Sequence, residues 1–339
     1  MGSRWGCLHD MIELMQVVRF KSFHDAQKAW QSLETLESYP FQQWWYQSLY
    51  SKHFCSEVDL VYLLGVYDGD DLVAVGGFER IGDKVVLLGM KPVLGGEDVT
   101  DYGEILQLPI TNYPLLIWEL IVKYFRDLGV SNLQLDYVRE DSVVYSVFAD
   151  SNSEHVRLEK QEVAPYINLG ASWDDYLAEL PRVKRKELRR KIRRLEETNS
   201  FHFCKESTFK QDFDDFIRLH RLSSFDKDQF MSDEMKAFFW DLVTHDSYPY
   251  QHRFCFLEME GKRVAATLSF ITDDRVLLYN SGFDPDYNYY SVGLILKAYV
   301  LKNAIEEKRT VYDFLRGDER YKYDMGGRDM SLWKISISL

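Results

Sequence analysis

Hydrophobic and polar positions fall in the same order of blocks twice along this chain. In the first series, Leu60 to Tyr67, Leu72 to Phe78 and Val85 to Leu88 have the apolar, β-branched and aromatic make-up of strands. The turn formers Asp68-Gly69-Asp70-Asp71 and Gly82-Asp83 separate them. A long loop marked by Gly95, Gly96 and Asp98 precedes an apolar helix over Leu115 to Leu128, closed by Gly129; a strand over Val130 to Val138 follows. In the second series, Phe254 to Met259, Val264 to Phe270 and Val276 to Tyr279 read as strands, with turns at Glu260-Gly261-Lys262 and Asp273-Asp274. A helix capped by Ser291 and a strand over Thr310 to Leu315 complete it. In that helix Ile295, Tyr299 and Leu301 to Ile305 form the apolar face, and Lys297, Lys302, Glu306 and Glu307 the wet one.

The two series end alike. Asp136-Tyr137-Val138-Arg139-Glu140-Asp141 and Asp313-Phe314-Leu315-Arg316-Gly317-Asp318 both read Asp, aromatic, aliphatic, Arg, any, Asp. We therefore expect an α/β (α+β) protein of two related halves, residues 1–160 and 161–339, with Asp136 and Asp313 at equivalent positions. Ahead of the first series, Val17 to Phe20 is a possible strand, and Ser22 caps a helix to about Leu36. From Pro40 a second helix carries Trp44, Trp45, Tyr46 and Leu49, aromatics at core spacing.

The halves differ in chemistry. After Asp313 the second runs into Arg316, Asp318, Glu319, Tyr321 and Lys322; after Asp141 the first has no such cluster. A charged loop set at a strand end by a rigid scaffold is a place for a site, so the second half is expected to do the work. The formal charge is −13, which argues against a general nucleic-acid binder but leaves room for a local basic patch. Such a patch exists. Ser172 caps a helix to Leu180, Pro181 interrupts it, and Arg182 to Arg194 holds nine Lys or Arg against one Glu, Arg189 and Arg190 among them. Leu188, Ile192 and Leu195 make its apolar stripe. Two readings stand: a solvated amphipathic helix, or a surface for an anionic substrate or a cofactor's phosphates.

His220, in a helix over Phe213 to Leu222, shares a face with Phe213, Phe216 and Ile217; it is a structural histidine or, if it points into a cleft, a proton carrier. Cys7, Cys55, Cys204 and Cys255 form no ligand cluster, so neither a zinc site nor a disulfide framework is expected, and the compartment is expected to be reducing. No signal-peptide core or membrane-spanning apolar run occurs, and a soluble cytoplasmic protein is expected.

The ordered series WDDYLAELPRVKRKELRRKIRRLEE (173–197), Leu219-His220, LYNSGFDP (278–285), SVGLILKAYVLKNAIEE (291–307) and DFLRGDERYK (313–322) resembles the GNAT acetyltransferase superfamily. It is similar to the cellulose-biosynthesis-type, BioF2-like branch, itself related to the double-domain Fem-type peptidyltransferases that use aminoacyl-tRNA. The resemblance covers about residues 165–325, with the first half as a degenerate copy. It implies a mixed, mostly antiparallel sheet flanked by helices in each half, and an acyl-coenzyme A such as acetyl-CoA lying where two central strands part. In place of the family's Arg or Gln with spaced glycines, the chain has Ser291-Val292-Gly293. With Ser281 and Gly282, these are the implied cofactor-binding residues.

The implied reaction is attack of a primary amine on a thioester. Asp313, Asp318, Glu319 or His220 is the proton acceptor, Tyr279 or Tyr321 the donor to sulfur, and Arg316, Asp318, Tyr321, Lys322, Arg189 and Arg190 the substrate-binding set. The implied activity is N-acyl transfer to an amine of a small molecule, sugar or cell-surface precursor, with no metal. The alternatives are a Fem-like transferase acting with tRNA and a non-catalytic module that keeps the fold.

Overall fold

The computed structural model describes residues 15–35, 39–55, 60–93, 98–108, 114–151, 153–198, 200–204, 209–245 and 251–339. The chain forms two compact units, Met1–Glu162 together with Ser331–Leu339, and Val163–Met330. The last nine residues, expected with the second half, thus group with the first.

The first unit is a mixed sheet with helices. Its strands are β1 (Met15–Phe20), β2 (Val61–Asp68), β3 (Asp71–Ile81), β4 (Lys84–Leu87), the short β5 (Leu106–Gln107) and β6 (Asn132–Arg139). Strands β1 to β4 pair antiparallel in sequence order, β5 pairs with β3, and β4 and β6 run parallel. The last strand of the chain, over Leu332 to Ser338, pairs antiparallel with β6. Helices α1 (Phe23–Leu33), α2 (Trp44–Phe54), α3 (Pro114–Asp127) and α4 (Val143–Ala149) complete the unit. The Ser22 hydroxyl accepts from the Asp25 N–H at 3.2 Å, the expected cap. Trp45, Tyr46 and Leu49 of α2 are core, as their spacing predicts, and Tyr50 joins them, while Trp44 is only half-buried. Gly95 and Gly96 lie outside the described residues, as does Cys7. Cys55 and Cys255 are free thiols.

The second unit repeats this order. From Val163, β7 (Val156–Asn168) contributes its C-terminal part; β8 (Phe201–Cys204), β9 (Gln251–Met259), β10 (Lys262–Ile271), β11 (Arg275–Phe283) and β12 (Val311–Asp313) follow. Strands β8 to β11 pair antiparallel in order, β11 and β12 run parallel, and β12 pairs antiparallel with β7. Each unit therefore holds four antiparallel strands, one parallel pair and a closing antiparallel strand. The helices are α5 (Trp173–Glu179), α6 (Arg182–Glu196), α7 (Phe209–Leu222), α8 (Phe225–Phe230), α9 (Asp233–Thr244), α10 (Val292–Glu306) and α11 (Arg320–Asp324). Helix α10 is buried nearly all round, through Val292, Ile295, Leu296, Ala298, Val300, Leu301, Ala304 and Ile305. It packs with Leu188 and Leu195 of α6 and with Val276 and Leu278 of β11. An aromatic layer holds Phe216, Phe239, Phe270 and Tyr279.

The repeat is one of strands, not of every residue. Asp313 lies in the last residue pair of β11 and β12, opposite Leu277. In the first unit the last pair is Val86 with Gln134, so Asp136 stands two residues further along. There the chain itself closes on the strand end. The Gly103 N–H donates to the Tyr137 carbonyl at 3.1 Å, and a Cβ on Gly103 would sit 2.0 Å from the Asp136 carbonyl oxygen. Among the described residues, no helix is long and apolar enough to cross a membrane.

Candidate active site

The site begins where β11 and β12 part. They share three residue pairs, Arg275 with Val311, Val276 with Tyr312 and Leu277 with Asp313. Beyond them β11 continues to Phe283 against β10 alone. The register of β10 and β11 slips between Leu268 and Ser269, which puts Tyr279 in a bulge. Val276 to Leu278 are buried; Tyr279, Asn280 and Ser281 are half-exposed. Backbone groups that lose a strand partner need others. The Ser281 N–H finds the Asn280 Oδ1 at 2.9 Å, and the Ser281 carbonyl accepts from Lys227 Nζ.

Chain after β12 forms the opposite wall. The Asp313 carboxylate is buried and accepts from the Leu315 N–H at 2.8 Å. Leu315 and Gly317 both take left-handed backbone, φ 57° and 107°. Lys322 holds that loop from below. Its ammonium, 1% exposed, donates to the carbonyls of Leu315 (3.0 Å), Arg316 (2.6 Å) and Gly317 (3.0 Å), and pairs with Glu319 at 2.9 Å. Lys322 is therefore spent on the loop, and its expected contact with substrate gives way to a positioning role. Asp313 likewise closes a turn and is not open to a substrate amine. Glu319 is exposed at the rim, as is Asp318; Arg316 is half-exposed. Burial, with the Glu319 charge adding to it, pushes the Tyr321 phenol above its ordinary value, so it stays a proton donor.

Ser291 does not cap α10 with its hydroxyl. It sits in left-handed backbone, φ 58° and ψ 38°, imposed by the 3₁₀ turn Pro285–Tyr290 that delivers the chain to the helix. Its carbonyl accepts from Leu294 and Ile295, both at 3.0 Å, while the N–H groups of Val292 and Gly293 have no acceptor among the described residues and stay open. A left-handed residue followed by helical ones turns successive N–H groups to one side, a concavity suited to an anion. Gly293 itself makes room for packing, since a Cβ there would be 3.0 Å from the Phe283 ring. Gly282 has a packing role too: a Cβ would lie 2.4 Å from the His220 nitrogen, so α7 crosses β11 at backbone contact.

His220 is 1% exposed beneath that crossing, against the rings of Phe216 and Phe230. Burial pushes its imidazole down to about 3, the Lys227 charge adding to it, against a hydrogen bond with Asn280. So weak a base is poorly matched to taking a proton at neutral pH, and the residue's place beside Asn280 is a positioning one. Unfolded, His220 takes its proton near its ordinary value; folded, it stays neutral until far lower pH. Stability is thus full above pH ~6.5 and lost by about 1.4 kcal/mol per pH unit as the pH falls toward about 3. Between pH ~6.5 and ~5 the protein should lose roughly 2 kcal/mol more in urea unfolding than His220→Leu. Equal losses would contradict this.

The basic helix α6 adjoins the start of α10. Arg194 donates to the Tyr289 carbonyl at 2.5 Å and lies 4.7 Å from the centre of that ring. A groove of about 900 Å³ runs beside it, lined by Arg182, Lys184, Lys186, Arg190 and Lys191 of α6, Leu294 of α10 and Arg320 of α11. Arg189 is exposed, and Arg190 pairs with Glu187 at 2.6 Å. Two residues of the gap were missed in the sequence. Lys227 lies in α8, a helix without an apolar face. Lys297, assigned to the wet face of α10, is 6% exposed, with its ammonium 4.7 Å from the centre of the Tyr321 ring of α11.

Residues 182–323 match the model of the acetyltransferase (GNAT) domain. No curated protein matches the chain. Among solved structures, FemX aligns over 96% of this chain and 97% of its own, with 9% identity and a TM-score of 0.63. A tandem GNAT protein from the clavulanic acid biosynthesis pathway aligns over 95% and 98%, with 10% identity and a TM-score of 0.52. A conserved protein from Bacteroides thetaiotaomicron aligns over 96% and 100%, with 10% identity and a TM-score of 0.57. At such identities the likeness is one of fold. Residues 182–323 thus resemble a GNAT acetyltransferase domain in sequence, and the chain shares its fold with FemX and the tandem GNAT protein.

Proposed function

We propose that the second unit is an N-acyltransferase that takes its acyl group from an acyl-coenzyme A and passes it to a primary amine. The observation that carries this reading is the start of α10, where the open N–H groups of Val292 and Gly293 follow left-handed Ser291, next to a strongly cationic helix. This donor set fits a pyrophosphate: unpaired amides, the positive end of a helix dipole, and nearby Arg and Lys side chains. The acyl-coenzyme A would supply the activated thioester, and coenzyme A thiol would leave. The chain's own residues would do the rest. Tyr279, Asn280 and Ser281 line one wall of the gap and the loop to Tyr321 the other, which fixes the approach of the amine. Glu319 would accept the ammonium proton, and Tyr321 would return one to sulfur.

The basic helix favours a second reading. Arg182, Lys186, Arg189 and Arg193 are exposed at spacings of four, three and four residues, a cationic stripe roughly 16 Å long. Such a stripe suits the backbone of an aminoacyl-tRNA. The test is a thermal-shift panel of coenzyme A, acetyl-CoA, longer acyl-CoA and aminoacyl-tRNA. Coenzyme A at about 100 times its dissociation constant should stabilise the protein by about 2.7 kcal/mol. Arg189→Glu with Arg193→Glu should weaken the shift most at low salt, since screening acts over about 8–10 Å. No shift with any coenzyme A compound, and one with aminoacyl-tRNA, would transfer the reading to tRNA.

A further inference from the structure

The gap between β11 and β12 carries more positive charge than its own residues balance. Lys322, Lys227 and Lys297 bring three ammonium groups, and Glu319 is the one carboxylate whose charge reaches both Lys227 and Lys297 among the described residues. Glu319 is already 2.9 Å from Lys322 Nζ. Each ammonium has three N–H donors. Lys322 uses them all, whereas among the described residues Lys227 has the Ser281 carbonyl alone, and Lys297 the Gly293 carbonyl at 3.3 Å and the face of Tyr321 at 4.7 Å. Burying an ammonium without a partner costs several kcal/mol, unless it sheds its proton or meets an anion. Burial does push Lys297 down to about 7 and Lys227 down to about 8. The adjoining stretch from Tyr279 to Ser281 is half-exposed, as is Lys227, so solvent reaches this end of the gap. A plain acetyl or aliphatic chain would gain nothing from two lysines here.

We propose that this gap holds a compact anionic group of the substrate, a carboxylate or a phosphate monoester, on the ammonium groups of Lys227 and Lys297. The proposal rests on the reading of the gap as the acyl-transfer site, and it narrows the substrate class to one with an anion near the reacting atoms. That anion is carried either by the acyl chain or by the acceptor. It restores to Lys227 and Lys297 the partners they lack, and its bonds to the two ammonium groups are charge-assisted.

Calorimetry separates the two sources. Succinyl-CoA is compared with acetyl-CoA, and glucosamine 6-phosphate with glucosamine, the second pair on protein with and without coenzyme A. The same titrations use Lys227→Met, Lys297→Met and Lys297→Arg, with folding checked by circular dichroism. About tenfold tighter binding of succinyl-CoA than of acetyl-CoA, lost in both Met variants and restored in Lys297→Arg, supports the proposal with the anion on the acyl chain. The same pattern in the glucosamine pair supports it with the anion on the acceptor. No preference in either pair, or a preference that survives both Met variants, overturns it. Coenzyme A compounds that do not bind at all overturn the proposed function instead, and the glucosamine pair on free protein still decides the anion site.

Discussion

Gly282→Ala should destabilise the second unit by about 3 kcal/mol or more, because the added methyl meets backbone that cannot step aside. The new Cβ would lie 2.4 Å from both the His220 nitrogen and the Leu219 carbonyl carbon, and 2.5 Å from the His220 Cα. A flexible side chain could swing away from such a contact. Here the whole of α7 has to lift off β11. That helix carries Phe213, Phe216, Ile217 and Leu219 into the core, so lifting it opens packed apolar surface. The melting temperature should fall by roughly 10 °C. Gly170→Ala is the control, since its Cβ would meet nothing closer than 3.6 Å, from Asp175. If the two variants melt together, the close crossing of α7 over β11 is wrong.

Lys322→Met should cost stability and turnover together. The substitution keeps the bulk of the side chain and removes the charge that gathers the Leu315, Arg316 and Gly317 carbonyls. Hydrogen bonds to a charged group are worth about 1.5–3 kcal/mol, and abandoned buried acceptors add a penalty, so a loss of about 3 kcal/mol is expected. The ion pair with Glu319 adds little, because Glu319 is 57% exposed. The loop would then relax from its two left-handed residues, and Glu319 and Tyr321 would move with it. Misplacement by about 1 Å can cost on the order of 100-fold in rate. Lys322→Arg should not rescue, since a planar guanidinium cannot sit among three carbonyls converging on one point. A stable and active Lys322→Met variant would return Lys322 to the rim of the site.

Much of this architecture was legible in the chain. Two series of strands, helix and strand became two units with the same strand-pairing order, because each run had strand composition and each break had turn formers. The charged loop after Asp313 does stand at the parting of β11 and β12. What escaped the sequence depended on distant partners. Ser291 is a good cap by residue type, yet the 3₁₀ turn ahead of it fixes its backbone on the left-handed side. Lys297 has helical spacing with charged neighbours, yet Tyr321 of α11, more than twenty residues away, packs over it. Gly282 stands among the cofactor-binding residues that the resemblance implies, and only the crossing of α7 shows its packing use. The matched hexapeptides around Asp136 and Asp313 end equivalent strands, but strand pairing offsets them by two residues, which no local comparison reveals. The chain's last strand pairs with β6, a contact between residues about two hundred positions apart.

The account turns on whether the open N–H groups at the start of α10 receive an anionic ligand. The direct measurement is a titration of protein labelled with ¹⁵N-glycine by coenzyme A, followed at the Gly293 amide and assigned through Gly293→Ala. The chain has 19 glycines, so the spectrum is sparse. The Gly293 signal should move downfield and saturate with coenzyme A, while Gly170 and Gly261 stay in place. Saturable binding of coenzyme A that leaves Gly293 unmoved would contradict it.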